Sequence, residues 1–325
     1  MLSYSIAIRT LGKAGEKFIR ELESLKTQTC QPESVNVYIA KGYTQPDCRI
    51  GSETYKEVDK GMMRQRLLPY EEIGSDLILF LDDDVELALD SVEKMIKTIE
   101  ENNLDALGAD IFRNHKMPLS LKIRSALVNL VTPHLSDRWA FKVRGNGSFS
   151  YHRNPKRSWY PSQSCGGPVW MIRRSVYNKL HLEDELWLDT FDFPYGEDQL
   201  QTYKIYKNGY KLGVLYDSGI RNLDARTESG RYHKDQNRIY IRTKASFAVW
   251  WRSVFKSSVK APEKYFAALS FFAKQIWTLV PVSVLSLISF TPSVLSQYIR
   301  GNIDGWKFVH STEFKSLHPY VAKAT

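Results

Sequence analysis

Three consecutive aspartates, Asp82-Asp83-Asp84, follow directly on the apolar run Leu77-Ile78-Leu79-Phe80-Leu81. Carboxylates held so close repel one another unless a cation or a proton relieves them. Their hard oxygens suit Mg2+ or Mn2+, which would bridge onward to diphosphate oxygens. The plain alternative is a solvated acidic turn capping the helix that follows. A second acidic pair, Glu197-Asp198, comes straight after Tyr195-Gly196 and opens a helical pattern. Acids in a first turn complement the helix dipole; equally, one of them can act as a general base, which contributes about 10²–10⁴-fold in rate. Between the two acidic groups lies Ser164-Cys165-Gly166-Gly167-Pro168-Val169-Trp170. Paired glycines let a backbone approach a ligand closely, or simply make a turn. Trp170, Trp187 and Tyr195 either offer faces for a ligand ring or fill the core.

These groups need a frame, and the patterning predicts an α/β one. Ser5–Arg9 reads as a short buried strand, and Phe18, Leu22 and Leu25 recur at helical spacing. Residues 35–40 form a second strand, a helical stretch is expected around Lys60–Tyr70, and Leu77–Leu81 reads as a mid-sheet strand. Val92, Ile96 and Ile99 mark the next helix, and 106–112 another strand. Such alternation implies a mixed, mostly parallel sheet flanked by helices. Residues 113–160 are basic and irregular and read as an insertion over the site. The pattern resumes with a strand at 168–172, a helix from Glu197 to Lys207 stopped by Asn208-Gly209, and a strand at 211–216.

In this order and spacing the elements resemble the family 2 glycosyltransferases of the GT-A (Rossmann-like) fold over roughly residues 3–245. The opening strand with Thr10, the helix ending Leu25-Lys26-Thr27-Gln28-Thr29, the segment Lys60-Gly61-Met62-Met63-Arg64-Gln65-Arg66 and the run Phe80–Asp84 correspond to that family's first half. Gly166–Arg173, Gly196-Glu197-Asp198 and Ile239-Tyr240-Ile241-Arg242 correspond to its second half. The resemblance implies a nucleotide-sugar donor, with Thr10, Arg66, Asp82 and Asp83 on the donor side and Asp84 with Asp82 on Mn2+ or Mg2+. It implies Asp198 as catalytic base, with Glu197, Gly166, Gly167 and Trp170 on the side of a saccharide or lipid-linked acceptor, and an inverting transfer in surface polysaccharide synthesis. One departure concerns the donor: Lys41-Gly42 stands where the family usually has a base-reading Asp.

The net charge of +9 calls for an anionic partner. Arg252, Lys256, Lys260 and Lys264 step by four residues beside aromatic neighbours, and no charged residue occurs between Lys274 and Arg300. A basic stripe beside a long apolar segment interrupted by Pro281 and Pro292 predicts a helix in the membrane interface, or short re-entrant helices, within a helical region 246–325. A cytoplasmic, peripheral location at the inner face of the cell membrane follows, with no leader read at the N-terminus. Nucleic acid is disfavoured, since the basic residues flank apolar sequence and match no binding motif. Cys30, Cys48 and Cys165 fit no zinc or disulfide spacing and read as reduced thiols. Two alternatives remain at this point: a metal-dependent phosphatase of the haloacid-dehalogenase type, whose nucleophile loop Asp82-Asp83-Asp84 resembles, and a non-enzymatic basic protein of the membrane surface.

Overall fold

The computed structural model describes residues 1–46, 51, 53–111, 119, 138–223, 237–288 and 293–322. Its centre is an eight-stranded sheet built from β1 (Tyr4–Thr10), β2 (Val35–Ala40), β3 (Glu53–Val58), β4 (Leu77–Asp82), β6 (Ala106–Ala109), β9 (Trp159–Ser162), β10 (Val169–Arg173) and β11 (Leu212–Leu215). The spatial order is β3-β2-β1-β4-β10-β6-β11-β9. β3, β2, β1 and β4 are parallel to one another, as are β6 and β11, while β10 runs antiparallel to both β4 and β6, and β9 is antiparallel to β11. Two small ribbons complete it, β5 (Val85–Glu86) with β12 (Arg221–Asn222) and β7 (Phe141–Val143) with β8 (Phe149–Tyr151). This is the mixed, mostly parallel α/β architecture expected from the sequence.

Strand alternation sorts the core into two layers. Ile6 and Ile8 of β1 and Leu77, Leu79 and Leu81 of β4 face helices α1 (Glu16–Lys26) and α2 (Ser91–Glu101). Ala7, Ile78 and Phe80 point to the opposite layer, with helix α3 (Glu197–Lys207) and the C-terminal helices α4 (Arg238–Trp250), α5 (Ala261–Ile288) and α6 (Ser293–Val309). The chain leaves β1 toward β2 on one side while β4 pairs on the other, so the carboxyl ends of β1 and β4 form a switch point, where open sheets of this kind bind ligands. Arg9 of β1 and Asp82 of β4 lie opposite each other there.

The structure departs from the sequence reading in four places. The helix expected around Lys60–Tyr70 is a single turn, in which Gln65 and Leu67 donate to the carbonyls of Gly61 and Met63. Strand β3 has no counterpart among the strands expected. Of the 113–160 segment, residues 113–118 and 120–137 lie outside the described residues; its end forms the β7–β8 hairpin and joins the sheet through β9. A catalytic domain ending at 245 would cut α4, which runs unbroken to Trp250 and packs along α6.

Candidate functional site

Two guanidinium groups organise the switch point. Arg9 forks onto Asp82, Nε to Oδ1 at 2.6 Å and Nη2 to Oδ2 at 3.0 Å. Arg66 donates from Nη2 to Asp82 Oδ1 at 2.6 Å and from Nη1 to Asp198 Oδ1 at 3.3 Å. One buried arginine thus ties the end of β4 to the first turn of α3. Burial alone would raise the Asp82 carboxyl; Arg9 and Arg66 overcome it and hold the group well below the usual carboxylate range.

Arg66 is placed by contacts distant in sequence. Asp189 accepts from the amides of Met63, 3.0 Å, and Arg64, 2.8 Å, capping the 61–67 turn. A Cβ on Gly61 would sit 2.2 Å from Asp189 Oδ2, so the approach requires glycine. Gln65 Nε2 reaches the carbonyls of Thr10 and Tyr38, pinning the turn to β1 and β2.

The Gly166-Gly167 stretch packs between both acidic groups. The Asp82 amide donates to the Pro168 carbonyl at 3.0 Å. Thr202 Oγ1, one turn into α3, accepts from the Cys165 amide and donates to the Asp198 carbonyl. A Cβ on Gly167 would lie 1.7 Å from Asp198 Oδ1 and 2.5 Å from Arg66 Nη1, so these two side chains occupy the space a larger residue needs. Gly196, at φ +91°, makes the left-handed turn that starts α3. Burial and the neighbouring Asp198 push the Glu197 carboxyl up to about 8, with Arg66 and Arg9 opposing.

The other predicted residues take different places. Thr10 and Asp83 are buried and bonded to each other, Oγ1 to Oδ2 at 2.5 Å, so they fix the turn after β4 and present no open face to a donor. Asp83 is raised to about 6 by burial and by Asp82 and Asp84, against the Thr10 hydrogen bond. Asp84 is half-buried on the other side of the turn, its carbonyl accepting from the Leu223 amide at 2.7 Å. Asp82 already accepts three charged hydrogen bonds of about four possible. Trp170 corrects an expectation: it is fully buried, its ring 4.4 Å from Phe80, and belongs to the core rather than to an acceptor surface. Trp187 likewise packs against Phe308 and Phe314. Lys41 pairs with Asp59 at 2.8 Å.

Sequence reasoning missed Arg9, Asp189 and Glu21. Glu21 is buried on α1, and its Oε2 accepts from the Val85 amide at 3.2 Å while Oε1 has no hydrogen-bond partner. Burial, and then Asp83, Asp84 and Asp82, raise it well above the usual range, with only the Val85 bond opposing. The signal was an acid among Phe18, Leu22 and Leu25 on the core face of its helix. No group of three His, Cys, Asp or Glu side chains close enough to cage a metal occurs among the described residues. A Mg2+-type ion needs only one or two carboxylates when substrate phosphates supply the rest.

Residues 38–180 match the model of glycosyl transferase family 2. No curated protein is significantly similar to the chain. Among solved structures, GalNAc-T7 with UDP, GalNAc and Mn2+ aligns at 12% identity over 90% of this chain with a TM-score of 0.49. This chain spans 58% of the length of that one. TarS 1-349 of S. aureus aligns at 15% identity, covering 94% of this chain and 92% of its own, with a TM-score of 0.42.

Proposed function

We propose that this chain, a family 2 glycosyltransferase over residues 38–180, moves a sugar from a nucleoside-diphosphate donor to a hydroxyl of a saccharide or lipid-linked acceptor, inverting the anomeric centre. The observation that carries the proposal is Arg66, which holds the carboxylates of Asp82 and Asp198 on one guanidinium at 2.6 and 3.3 Å. A donor-side strand end and an acceptor-side helix start thereby share one small site.

Asp198 takes the proton from the acceptor hydroxyl, whose oxygen bonds to C1 as the bond from C1 to the phosphate oxygen breaks and the nucleoside diphosphate departs. Glu197, protonated at neutral pH by its raised pKa, donates a hydrogen bond that orients the acceptor. Asp84 would hold the divalent cation, Mn2+ or Mg2+, which when bound neutralises charge on the leaving diphosphate. Arg9 and Arg66 keep Asp82 ionised and the floor of the site fixed. The phosphatase alternative loses ground because Asp82, its nucleophile, is clamped by both guanidinium groups.

The location belongs to the same proposal. Helix α5 is long and apolar enough to cross a membrane, with a mean hydropathy of 1.6 over its most apolar window, yet it lies with Ala267 and Phe271 buried against the domain. Tyr265, Leu269, Phe272, Ile276, Val280 and Val284 form an exposed stripe along it. Pro281 lies within one continuous helix, and Arg252 of the expected basic stripe is buried in an ion pair with Glu185. A helix that touches the domain at a few residues and leaves most of its apolar length uncovered suits the interface of a membrane, at its cytoplasmic face, and serves synthesis of a surface polysaccharide.

The test is a thermal-shift screen of nucleoside diphosphates with and without Mn2+. A bound nucleotide stabilises the fold by mass action. One nucleotide should stabilise the wild type only with metal, and Asp84→Ala should lose that response. Asp198→Ala should keep it and lose transfer; transfer surviving in Asp198→Ala overturns the assignment of the base.

A further inference from the structure

The turn of the β7–β8 hairpin carries donors that nothing among the described residues satisfies. Asn146 is 1% exposed. Its Oδ1 accepts from the Ser148 amide and hydroxyl at 3.0 and 2.6 Å, which fixes the orientation of the amide and leaves Nδ2 without a partner. Arg144, two residues earlier, has Nη1 buried and equally without a partner. An unmet buried donor is costly, and more so when charged.

Lys274 of α5 comes to the same turn, its Nζ 3.5 Å from the Asn146 carbonyl. Burial, then Arg242 and Arg144, push Lys274 down to about 8, and no carboxylate enters its surroundings among the described residues. Arg242 closes the group on the catalytic side. It is exposed, and its guanidinium lies 4.6 Å from the ring centroid of Tyr195, two residues before Glu197. Three cations and a buried amide therefore converge without an acid between them among the described residues. Such a set is completed by an anion with several acceptor oxygens.

The place of the cluster specifies more than charge. On one side, by way of Tyr195, stands the Glu197–Asp198 turn. On the other is α5, where Phe266, Ala267 and Ser270 pack within 3.7 Å of a Cβ built on Gly145 of the same turn, and where the exposed apolar stripe begins. An anion bound here has catalytic carboxylates to one side and a hydrocarbon-compatible surface to the other.

We propose that Arg144, Asn146, Lys274 and Arg242 form a binding site for the phosphate of an amphiphilic acceptor, whose apolar part lies along α5 while its hydroxyl reaches Asp198. The word acceptor rests on the transferase proposal; the phosphate site itself does not. The same donors would take a free phosphate or the diphosphate of a nucleotide, and the test separates these sources.

Binding to the full chain is measured for decyl phosphate below its micelle concentration, for decyl maltoside, for inorganic phosphate, and for the nucleoside diphosphate found in the thermal screen with Mn2+. Variants are Arg144→Gln, Lys274→Gln and the exposed Arg242→Gln, which covers the case in which a buried variant fails to fold. Decyl phosphate should bind the wild type about tenfold or more tighter than the variants, as loss of a charged hydrogen bond requires. Decyl maltoside and inorganic phosphate should each bind more weakly than decyl phosphate, and nucleotide binding should persist in the variants. Equal affinity of wild type and variants for decyl phosphate overturns the site. Inorganic phosphate binding as tightly as decyl phosphate overturns the amphiphile, and loss of nucleotide binding in the variants assigns the cluster to the donor instead. A wild type that binds decyl phosphate in the expected pattern but no nucleotide sinks the transferase proposal and leaves the phosphate site standing.

Discussion

Replacing Gly167 by alanine asks whether the position of Asp198 matters to chemistry. The new methyl carbon would sit 1.7 Å from Asp198 Oδ1, 2.7 Å from its Cγ and 2.5 Å from Arg66 Nη1. The carboxylate must withdraw by about 1.3 Å merely to reach 3.0 Å, a separation below which real Cβ atoms essentially never lie. It has room to do so, because its side chain is 36% exposed. The lost contact is the 3.3 Å bond to Arg66, and a pair so exposed on one side is worth at most about 1 kcal/mol. A catalytic group displaced by about 1 Å costs about 100-fold in rate. The expected variant therefore melts within a few degrees of the wild type, binds nucleoside diphosphate with metal as before, and has kcat lowered about 100-fold. Steady-state kinetics at saturating donor, beside a thermal melt and a nucleotide titration, give the three readouts. A kcat within a factor of about three of wild type would refute Asp198 as a base held in place by this glycine.

Three further outcomes are expected. Glu197 keeps its proton in the folded state up to about pH 8 while an unfolded glutamate loses it near 4.5, so its contribution is complete below about pH 4.5 and is lost as pH rises toward 8. Urea titrations between pH 5.5 and 7.5 should show wild type losing up to about 1.4 kcal/mol per pH unit relative to Glu197→Gln; parallel pH profiles would contradict this. Glu185 is wholly buried between Lys204 and Arg252, at 3.0 and 2.8 Å, and Glu185→Ala should cost about 3–5 kcal/mol in chemical denaturation by leaving two cations unpaired. A cost below about 1 kcal/mol would mean that water replaces the carboxylate. Leu269→Asp with Ile276→Asp, both on the exposed stripe of α5, should abolish flotation with vesicles of anionic phospholipid while the melting temperature holds; unchanged flotation would remove α5 from the membrane proposal.

What the sequence disclosed was whatever local pattern enforces. Strands β1, β2 and β4 declared themselves because their apolar residues suit a sheet covered on both faces, and α3 begins and ends where Gly196 and Asn208-Gly209 say it should. Strand β3 stayed hidden because Glu53–Val58 carries three charged residues on a sheet edge, where water tolerates them. The 61–67 segment looked helical because nothing nearby reveals that its amides are capped by Asp189, 126 positions from Met63. Arg9 read as one more strand residue, since its partnership with Asp82 depends on the pairing of β1 with β4. Trp170 shows the converse error: an aromatic beside glycines suggested a ligand face, but strand alternation turns it inward against Phe80.

Asp189 belongs to the 3-10 segment Leu182–Thr190, and that segment is gripped by the C-terminal residues. Glu185 holds Arg252, Asp184 meets His318, and Trp187 lies under Phe308 and Phe314, while Tyr320 donates to the Leu200 carbonyl in α3. These residues thus brace the segment whose aspartate sets the arginine between the two acids. A chain trimmed to the family-like portion would discard this brace. Any minimal version of the molecule must run to Tyr320, and deletions from the C-terminus should first disturb the geometry around Arg66, long before they reach the sheet.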